Sequence, residues 1–283
     1  MHIYAPFIYN PAKGFSMNIH PSAIVHKDAK LGVDVRIGPH CIVGAHVTLG
    51  DRVELISHVV IDGRTVIGDD TVIYPFAAVG LLSQDLKWQD ETAMTGLKIG
   101  KRNKIREYVT ISSGTPAAPN GTEIGDDCQI MINAHIGHDC KVGNGVVLSN
   151  IVQLGGHVEV EDFVIVSAGS MVHQFCRIGR NAFIGAMTGI GIDVPPYAIF
   201  EGRPGVYRTI NKTGLLRHGF TNEDLHAIHK VYSAVYGGEA GDMGDKLKKV
   251  RREVSGNKYA MDALDFIEKR SARGVNTTRV TGA

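Results

Sequence analysis

The stretch NAHIGHDC, Asn133 to Cys140, sets two histidines, an aspartate and a cysteine within a few positions of one another. These residue types support two chemistries. Imidazole, thiolate and carboxylate are the usual ligands of zinc, and an imidazole oriented by a carboxylate is the usual general base near neutral pH. A histidine-rich piece of surface with no chemical role is the third reading. Which one applies depends on which side chains share a face, so the elements that position them come next.

Every sixth residue from Ile19 to Val79 is aliphatic, running Ile19, Val25, Leu31, Ile37, Val43, Leu49, Leu55, Ile61, Ile67, Ile73 and Val79. Four positions after each stands a small or β-compatible residue, as in Ala23, Val35, Cys41 and Thr65. The pattern resumes at Ile99, Ile105 and Ile111, and again from Ile124 through Ile190, and many of the 34 glycines follow the aliphatic residue directly. A period of six with two inward positions is neither a helix nor a simple alternating strand. It predicts short strands coiling into a parallel β-helix, with aliphatics stacked inside, glycines at the corners, and coils that must stack to bury their apolar faces. With three hexads per coil, each residue lies over the one three hexads on, about 4.8 Å away. Cys41, Cys128, Cys140 and Cys176 all take the small inward position, which predicts packed, reduced thiols.

Two segments break the phase, residues 80–98 with SQDLK and residues 114–123, GTPAAPNGTE. Insertions in a solenoid become loops on one face and often carry function. The hexads end at DVPPYAIF, where the paired prolines are expected to stop the coil. Beyond it Leu225, Ile228, Tyr232 and Val235 share a helical face, with Thr221 as N-cap and Gly237–Gly238 as stop. Further helices are expected around 243–255 and 258–272. The expected organisation is an extension over 1–17, a β-helix over 18–200 and a helical C-terminal domain over 201–283.

Lys plus Arg (30) nearly cancels Asp plus Glu (29), which gives no support to nucleic-acid or membrane-surface binding. No apolar run approaches the roughly 18 residues a membrane span needs. The start lacks the basic and apolar regions of a secretory signal. A cytoplasmic protein without an integral membrane segment is expected.

With hexads starting at Ile130 and Ile136, His135, His138 and Asp139 point outward while Cys140 points inward and drops out as a partner. One coil on, Gly156 lies over His138 and His157 over Asp139; two coils on, Gln174 joins the His138 column with His173 beside it. The place above His138 is open to a reacting group, with a backbone N–H near Gly156 available to an oxyanion. His40 and His58 are also outward and one coil apart, so stacking by itself leaves a functional site and a decorated surface both open.

The hexads resemble the hexapeptide-repeat acyltransferases, whose coil is left-handed. MINAHIGHDC, SQDLK, VHQFC, DVPPY and GLLRHGF are similar, in order and from about residue 18 to the end, to the UDP-N-acetylglucosamine 3-O-acyltransferase family of lipid A synthesis in Gram-negative bacteria. The resemblance implies a left-handed parallel β-helix with a small α-helical C-terminal domain. It implies transfer of a 3-hydroxyacyl group from acyl carrier protein to the 3-hydroxyl of UDP-N-acetylglucosamine, without a cofactor, by a homotrimer with sites between subunits. The family's base maps to His138, its supporting carboxylate to Asp139 and its backbone donor to Gly156. His135, His157, His173 and Gln174 match residues around the substrate, and Asp85 and Lys87 match loop residues that hold sugar and phosphate. Asn211 and Arg217 match positions near the uridine and phosphates.

Four positions depart from the family's pattern. Ser112 replaces a histidine at the phosphates, Thr213 a glutamate and His218 a nucleotide-contacting arginine. Ala186 stands where the side chain sets acyl length. The cationic run Lys246, Lys248, Lys249, Arg251 and Arg252 is a candidate dock for acidic acyl carrier protein. Three alternatives stand beside this reading: a 3-amino acceptor, a structural trimer, and a zinc carbonic anhydrase-like protein. Such anhydrases take two ligands five residues apart, and no two of the 13 histidines have that spacing. No metal is therefore expected.

Overall fold

The computed structural model describes residues 18–88, 90, 95–238 and 241–275; the expected extension over 1–17 lies outside them. Most strands are two residues long, because a coil with three sides allows each side only the inward aliphatic residue and its outward neighbour. They assemble into three sheets of 11, 9 and 8 strands, each collecting every third strand of the coil. Ile19 pairs with Ile37 and Ile37 with Leu55, one coil apart. Across the first insertion Ile73 pairs with Ile105, and across the second Ile105 pairs with Ile130. Both insertions therefore leave the coil and rejoin it in phase.

The stacked positions form the core. Ile37, Leu55, Ile73, Ile105, Ile130 and Leu148 are all buried, and truncating one such residue to alanine costs about 2–5 kcal/mol in a packed interior. All four cysteines are free and buried. Burial pushes the Cys128 thiol up to about 11 and the Cys140 thiol to about 12, so neither supplies a thiolate near neutrality.

The corners differ from expectation. The left-handed residue is usually not glycine: His40, His58, Phe76, Tyr108 and Ile151 adopt φ of 57°, 53°, 65°, 59° and 64° along one edge of the prism. The hexad glycine precedes that residue and answers a different need. A Cβ on Gly38 would lie 1.8 Å from the Ile56 carbonyl oxygen, so it is the approach of the next coil that excludes a side chain.

Three edges result. Between the first and second sheets runs an aromatic edge, with His40, His58, Phe76 and Tyr108 stacked at 4.9, 4.9 and 5.0 Å. Between the second and third sheets runs a histidine edge carrying Asp139, His157 and Phe175. Between the third and first runs a charged edge, where Arg52 grips Asp70 at 2.6 and 2.8 Å and Arg102 grips Asp127 at 2.7 Å through both nitrogens. That edge continues into Phe163 and Asn181.

The prolines do not stop the coil. Val194 bridges to Ile178, and Ile184 pairs with Phe200 in one further parallel turn. The hydrogen bonds there start from the N–H groups of Val194 and Tyr197, so neither Pro195 nor Pro196 falls where a donor is needed. The chain then reverses, Val206–Ile210 pairing antiparallel with Ala198–Glu201. Four helices follow: α1 Lys212–Arg217, α2 Asn222–Tyr236, α3 Met243–Glu253 and α4 Lys258–Glu268. Thr221 caps α2 as expected, in a reciprocal capping box with Asp224. The helices are tied to the coil by Tyr207 stacked on Tyr232 and Tyr236, and by the Tyr197 hydroxyl donating to Asp262 at 2.6 Å. α4 ends short of the expected residue 272, because Lys269 is extended and the chain turns back to the coil.

Candidate active site

His135 ends on the outer face of the second sheet, and His138 and Asp139 form the next corner. His138 Nδ1 lies 2.7 Å from Asp139 Oδ2. An ionised carboxylate only accepts, so Nδ1 carries the proton and Nε2 is left as the basic nitrogen. Asp139 points outward, as the hexads require, yet its side chain is fully covered. The second insertion covers it: the Thr115 N–H donates to Oδ1 at 2.7 Å, and the Thr115 hydroxyl donates to Oδ2 at 2.6 Å. The Asp139 N–H in turn donates to Thr122 Oγ1 at 2.9 Å. Burial alone would raise the Asp139 carboxyl, but the bonds from His138 and Thr115, with His157 nearby, hold it below its usual range. It is a charged, fixed orienter for one imidazole.

The neighbouring histidines differ. Burial pushes His157 below its usual range, Asp139 opposing from 3.5 Å. His135 is lowered by burial and by His138, and its Nδ1 bonds to the Thr110 hydroxyl at 2.8 Å. His157 stacks on Phe175 at 4.6 Å and meets the His138 ring edge-on at 5.1 Å. Among the described histidines only His138 is hydrogen-bonded to a carboxylate through one nitrogen, and the space beside its other nitrogen holds no hydrogen-bond partner among the described residues.

That space lies under Gly156. A Cβ there would fall 2.5 Å from His138 Nε2 and 2.7 Å from Cε1. Among the described residues the Gly156 N–H has no hydrogen-bond partner. At equivalent places on the charged edge, the N–H of Asp51, Lys101 and Asn144 is capped by an aspartate of the next coil. Above Gly156 stands Gln174, which does not cap it. From the first insertion, Asp85 comes to 4.0 Å from His138 Nε2. Asp85 Oδ1 accepts from the Lys87 N–H at 3.0 Å, which places exposed Lys87 in the same turn. A carboxylate-held imidazole, a backbone N–H without a partner among the described residues and a second carboxylate thus lie close together, an arrangement suited to acyl transfer to a hydroxyl.

Comparison with known proteins agrees. Residues 193–276 match domain 2 of the UDP-N-acetylglucosamine O-acyltransferases, residues 121–156 the bacterial transferase hexapeptide repeats, and residues 176–194 the hexapeptide repeat of succinyl-transferase. The acyl-[acyl-carrier-protein]–UDP-N-acetylglucosamine O-acyltransferase of Agrobacterium fabrum is 38% identical over 73% of this chain and 76% of its own length. Its counterpart in Paracoccus denitrificans is 44% identical over 69% and 73%. The chain belongs to the UDP-N-acetylglucosamine O-acyltransferase family. The solved family member from Francisella novicida superposes with a TM-score of 0.88 at 36% identity, covering 93% of this chain and 95% of that one. The Bacteroides fragilis member gives 0.87 at 35%, covering 91% and 99%. The coil is accordingly the left-handed one of the family.

Not every residue matched to the family meets at His138. His135, His157, Gly156 and Asp85 do, and His173 and Gln174 follow one coil further along the same edge. Asn211 and His218 lie at the charged edge instead, the Asn211 amide donating to the Asn181 carbonyl at 2.9 Å and His218 Nδ1 meeting the Asn181 side chain. With Phe163, Arg180, Tyr197, Phe220, Lys258 and Tyr259, His218 lines a cleft of about 620 Å³. Arg217 is exposed at the end of α1 beside it. Ala186 is exposed at the aromatic edge. Ser112 is buried at the end of its strand.

Sequence reasoning missed Thr115 and Thr122. A signal for Thr122 existed, since three hexads on from it lies Cys140, beside Asp139; nothing in the hexads locates Thr115. His138, Asp139 and His157 each offer a ligand atom within 4.8 Å of the others, a trio the five-residue spacing does not anticipate. The closest pair of these atoms is joined by a proton at 2.7 Å. A cation bound to that nitrogen would have to displace this proton and break the bond that orients the His138 ring.

Proposed function

We propose that this chain moves a 3-hydroxyacyl group from acyl carrier protein to the 3-hydroxyl of UDP-N-acetylglucosamine, as the names of its relatives suggest for acyl carrier protein and UDP-N-acetylglucosamine. The observation that carries the reading is the His138–Asp139 pair, with Nε2 packed against Gly156, whose N–H has no partner among the described residues. Nε2 takes the proton of the sugar hydroxyl as its oxygen attacks the thioester carbonyl. The carbonyl oxygen becomes an anion and accepts from Gly156. Collapse of the tetrahedral intermediate breaks the carbon–sulfur bond, and the imidazolium returns its proton to the leaving thiolate. Asp139 stays ionised throughout and stabilises the imidazolium. The test is incubation with UDP-N-acetylglucosamine and a panel of 3-hydroxyacyl carrier proteins, with a chelator present, read by mass spectrometry. An alkali-labile acyl ester on the sugar nucleotide is expected. Product from a 3-amino analogue only, or activity abolished by the chelator, sinks the reading.

A homotrimer with sites between subunits is part of this proposal. The third sheet turns Lys30, Lys98, Lys141 and Glu159 to solvent. The second sheet instead exposes Ile24, Ile42 and Met171, and the aromatic edge beside it exposes Phe76, Tyr108, Ile151 and Met187. An apolar face of that kind supports a subunit contact there. Three copies with their aromatic edges at a common axis bring the histidine edge of one against the charged edge of the next. That would unite His138 with Asn211, Arg217 and His218, which one chain holds apart.

Lys87→Ala should raise KM for the nucleotide sugar with little change in kcat, since a phosphate is present in both ground and transition states. A fall in kcat at constant KM would instead place the lysine at the reacting centre. Ala186 lies across the outer face of the second sheet from His138, with Gln153 and Met171 between them. We infer that the acyl chain follows that face and ends at Ala186. A methyl group there opposes the longest chains by overpacking, about 1–3 kcal/mol, against a gain of about 0.8 kcal/mol per buried methylene. Ala186→Gly should shift preference to longer acyl groups and Ala186→Met to shorter ones in competition assays; an unchanged profile in both would place the stop elsewhere. In the cationic run, Arg251 is engaged by Asp265 at 2.8 Å and Glu268 at 2.6 Å, and Lys248 lies 3.5 Å from Asp245, so Lys249 and Arg252 are the exposed cations offered to an acidic carrier protein. A cytoplasmic location belongs to the same proposal; among the described residues no helix is long and apolar enough to cross a membrane.

A further inference from the structure

After α4 the chain turns back onto the coil as a short strap. Ser271 donates to the buried Asp193 carboxylate, the Gly274 N–H donates to Ser271 Oγ at 2.9 Å, and the Asp193 N–H donates to the Gly274 carbonyl at 2.9 Å. Asp193 is held by Arg177, whose backbone N–H and Nε donate to it at 2.8 and 2.9 Å. Arg177 Nη2 also reaches the carbonyls of Phe266 and Lys269 at 3.4 and 3.2 Å, and its guanidinium lies 4.3 Å over the Phe266 ring. The residue between these anchors, Arg273, is therefore aimed. It reaches the histidine edge, where Nε donates to the Gln174 carbonyl at 2.9 Å and Nη2 lies 2.7 Å from His173 Nδ1.

We propose that Arg273 is a positioning residue for the acyl transfer: it selects the tautomer of His173 and so decides what that ring presents to the substrate. A guanidinium can only donate. His173 Nδ1 must accept from it, and the ring proton stands on Nε2. His173 Nδ1 also lies 3.2 Å from the Gln174 carbonyl. Without the arginine, Nδ1 is free to carry the proton and donate to that carbonyl, which turns Nε2 from a donor into an acceptor. Among the described residues Nε2 has no other partner, so it is the atom the exposed ring offers outward. The inference rests on the reading that His173 and Gln174, in the column beyond His138 and Gly156, flank the substrate.

The experiment uses the full chain with nitrogen-15-labelled histidine, comparing wild type, Arg273→Ala and Arg273→Lys. The wild-type His173 ring should show the Nε2–H tautomer and the alanine variant the Nδ1–H tautomer. The alanine variant should lose at least about tenfold in kcat/KM, the scale of one hydrogen bond to a charged group, with its melting temperature unchanged. Lysine keeps a donor for Nδ1 and should preserve the tautomer and recover part of the activity. An unchanged tautomer in Arg273→Ala overturns the proposal, as does a tautomer switch with wild-type kcat/KM. An activity loss that only follows a lowered melting temperature overturns it too. The tautomer measurement needs no substrate, so a wild-type protein that fails to acylate the sugar nucleotide would sink the functional reading while the ring spectrum still judges the arginine.

Discussion

His138→Ala is expected to lower kcat by about 10²–10⁴-fold, the usual contribution of a general base. The sugar hydroxyl is a poor nucleophile while it keeps its proton, and Nε2 of His138 is the nitrogen placed to accept it. Neither neighbour can substitute. His157 turns its Nε2 toward Asp139 Oδ2 at 3.5 Å, and burial makes it a weaker base than an ordinary imidazole. His135 is turned to Thr110. The fold should survive. His138 lies outside the stacked core, and Asp139 keeps both bonds from Thr115 when the imidazole is removed. The loss of one hydrogen bond to a charged group should cost about 1.5–3 kcal/mol. Steady-state kinetics beside a thermal melt checks both halves. A variant that turns over at near wild-type rate removes His138 from the mechanism, and one that does not fold contradicts its placement outside the core.

Gly156→Ala should be nearly as damaging, although it adds one methyl group and removes nothing. The new Cβ would stand 2.5 Å from His138 Nε2 and 2.7 Å from Cε1, well inside contact distance. Either the ring swings away and breaks its 2.7 Å bond to Asp139, or the methyl group fills the space the acceptor oxygen must enter. A displacement of about 1 Å at a reacting centre can cost about 10²-fold in rate, and a loss of at least that size in kcat is expected. If the ring is displaced, both substitutions strike the same base, and Gly156→Ala placed on His138→Ala should add little further loss. Full multiplication of the two effects would mean that Gly156 acts independently of the imidazole. Activity retained in the single variant would mean that acceptor and thioester meet elsewhere.

The hexads by themselves determined which side chains point inward, which stand over one another, and that Cys140 is no partner to His138. These follow from a repeat in which every coil must bury the same two positions, so facing and stacking are local properties of the chain. The column of His138, Gly156 and Gln174 was legible for that reason. The helix beginning after Thr221 was legible too, because a capping residue and an apolar face are written within a few residues of each other. Only the tertiary structure decided what closes on the column. Asp139 becomes a buried, charged orienter because Thr115 arrives on a loop whose path no periodicity encodes. Asp85 and Arg273 reach the histidine edge in the same way, the arginine from the far end of the chain. The corners escaped local reasoning as well: glycine is demanded by the nearness of the next coil, and residues such as Ile151 are held at positive φ by hydrogen bonds from the coils around them. Which edge holds Asn211 and His218 was settled by the reversal after Glu201 and the docking of α1 at Asn181. Contacts of this kind depend on how distant segments close in space, and a six-residue period carries no information about that closure.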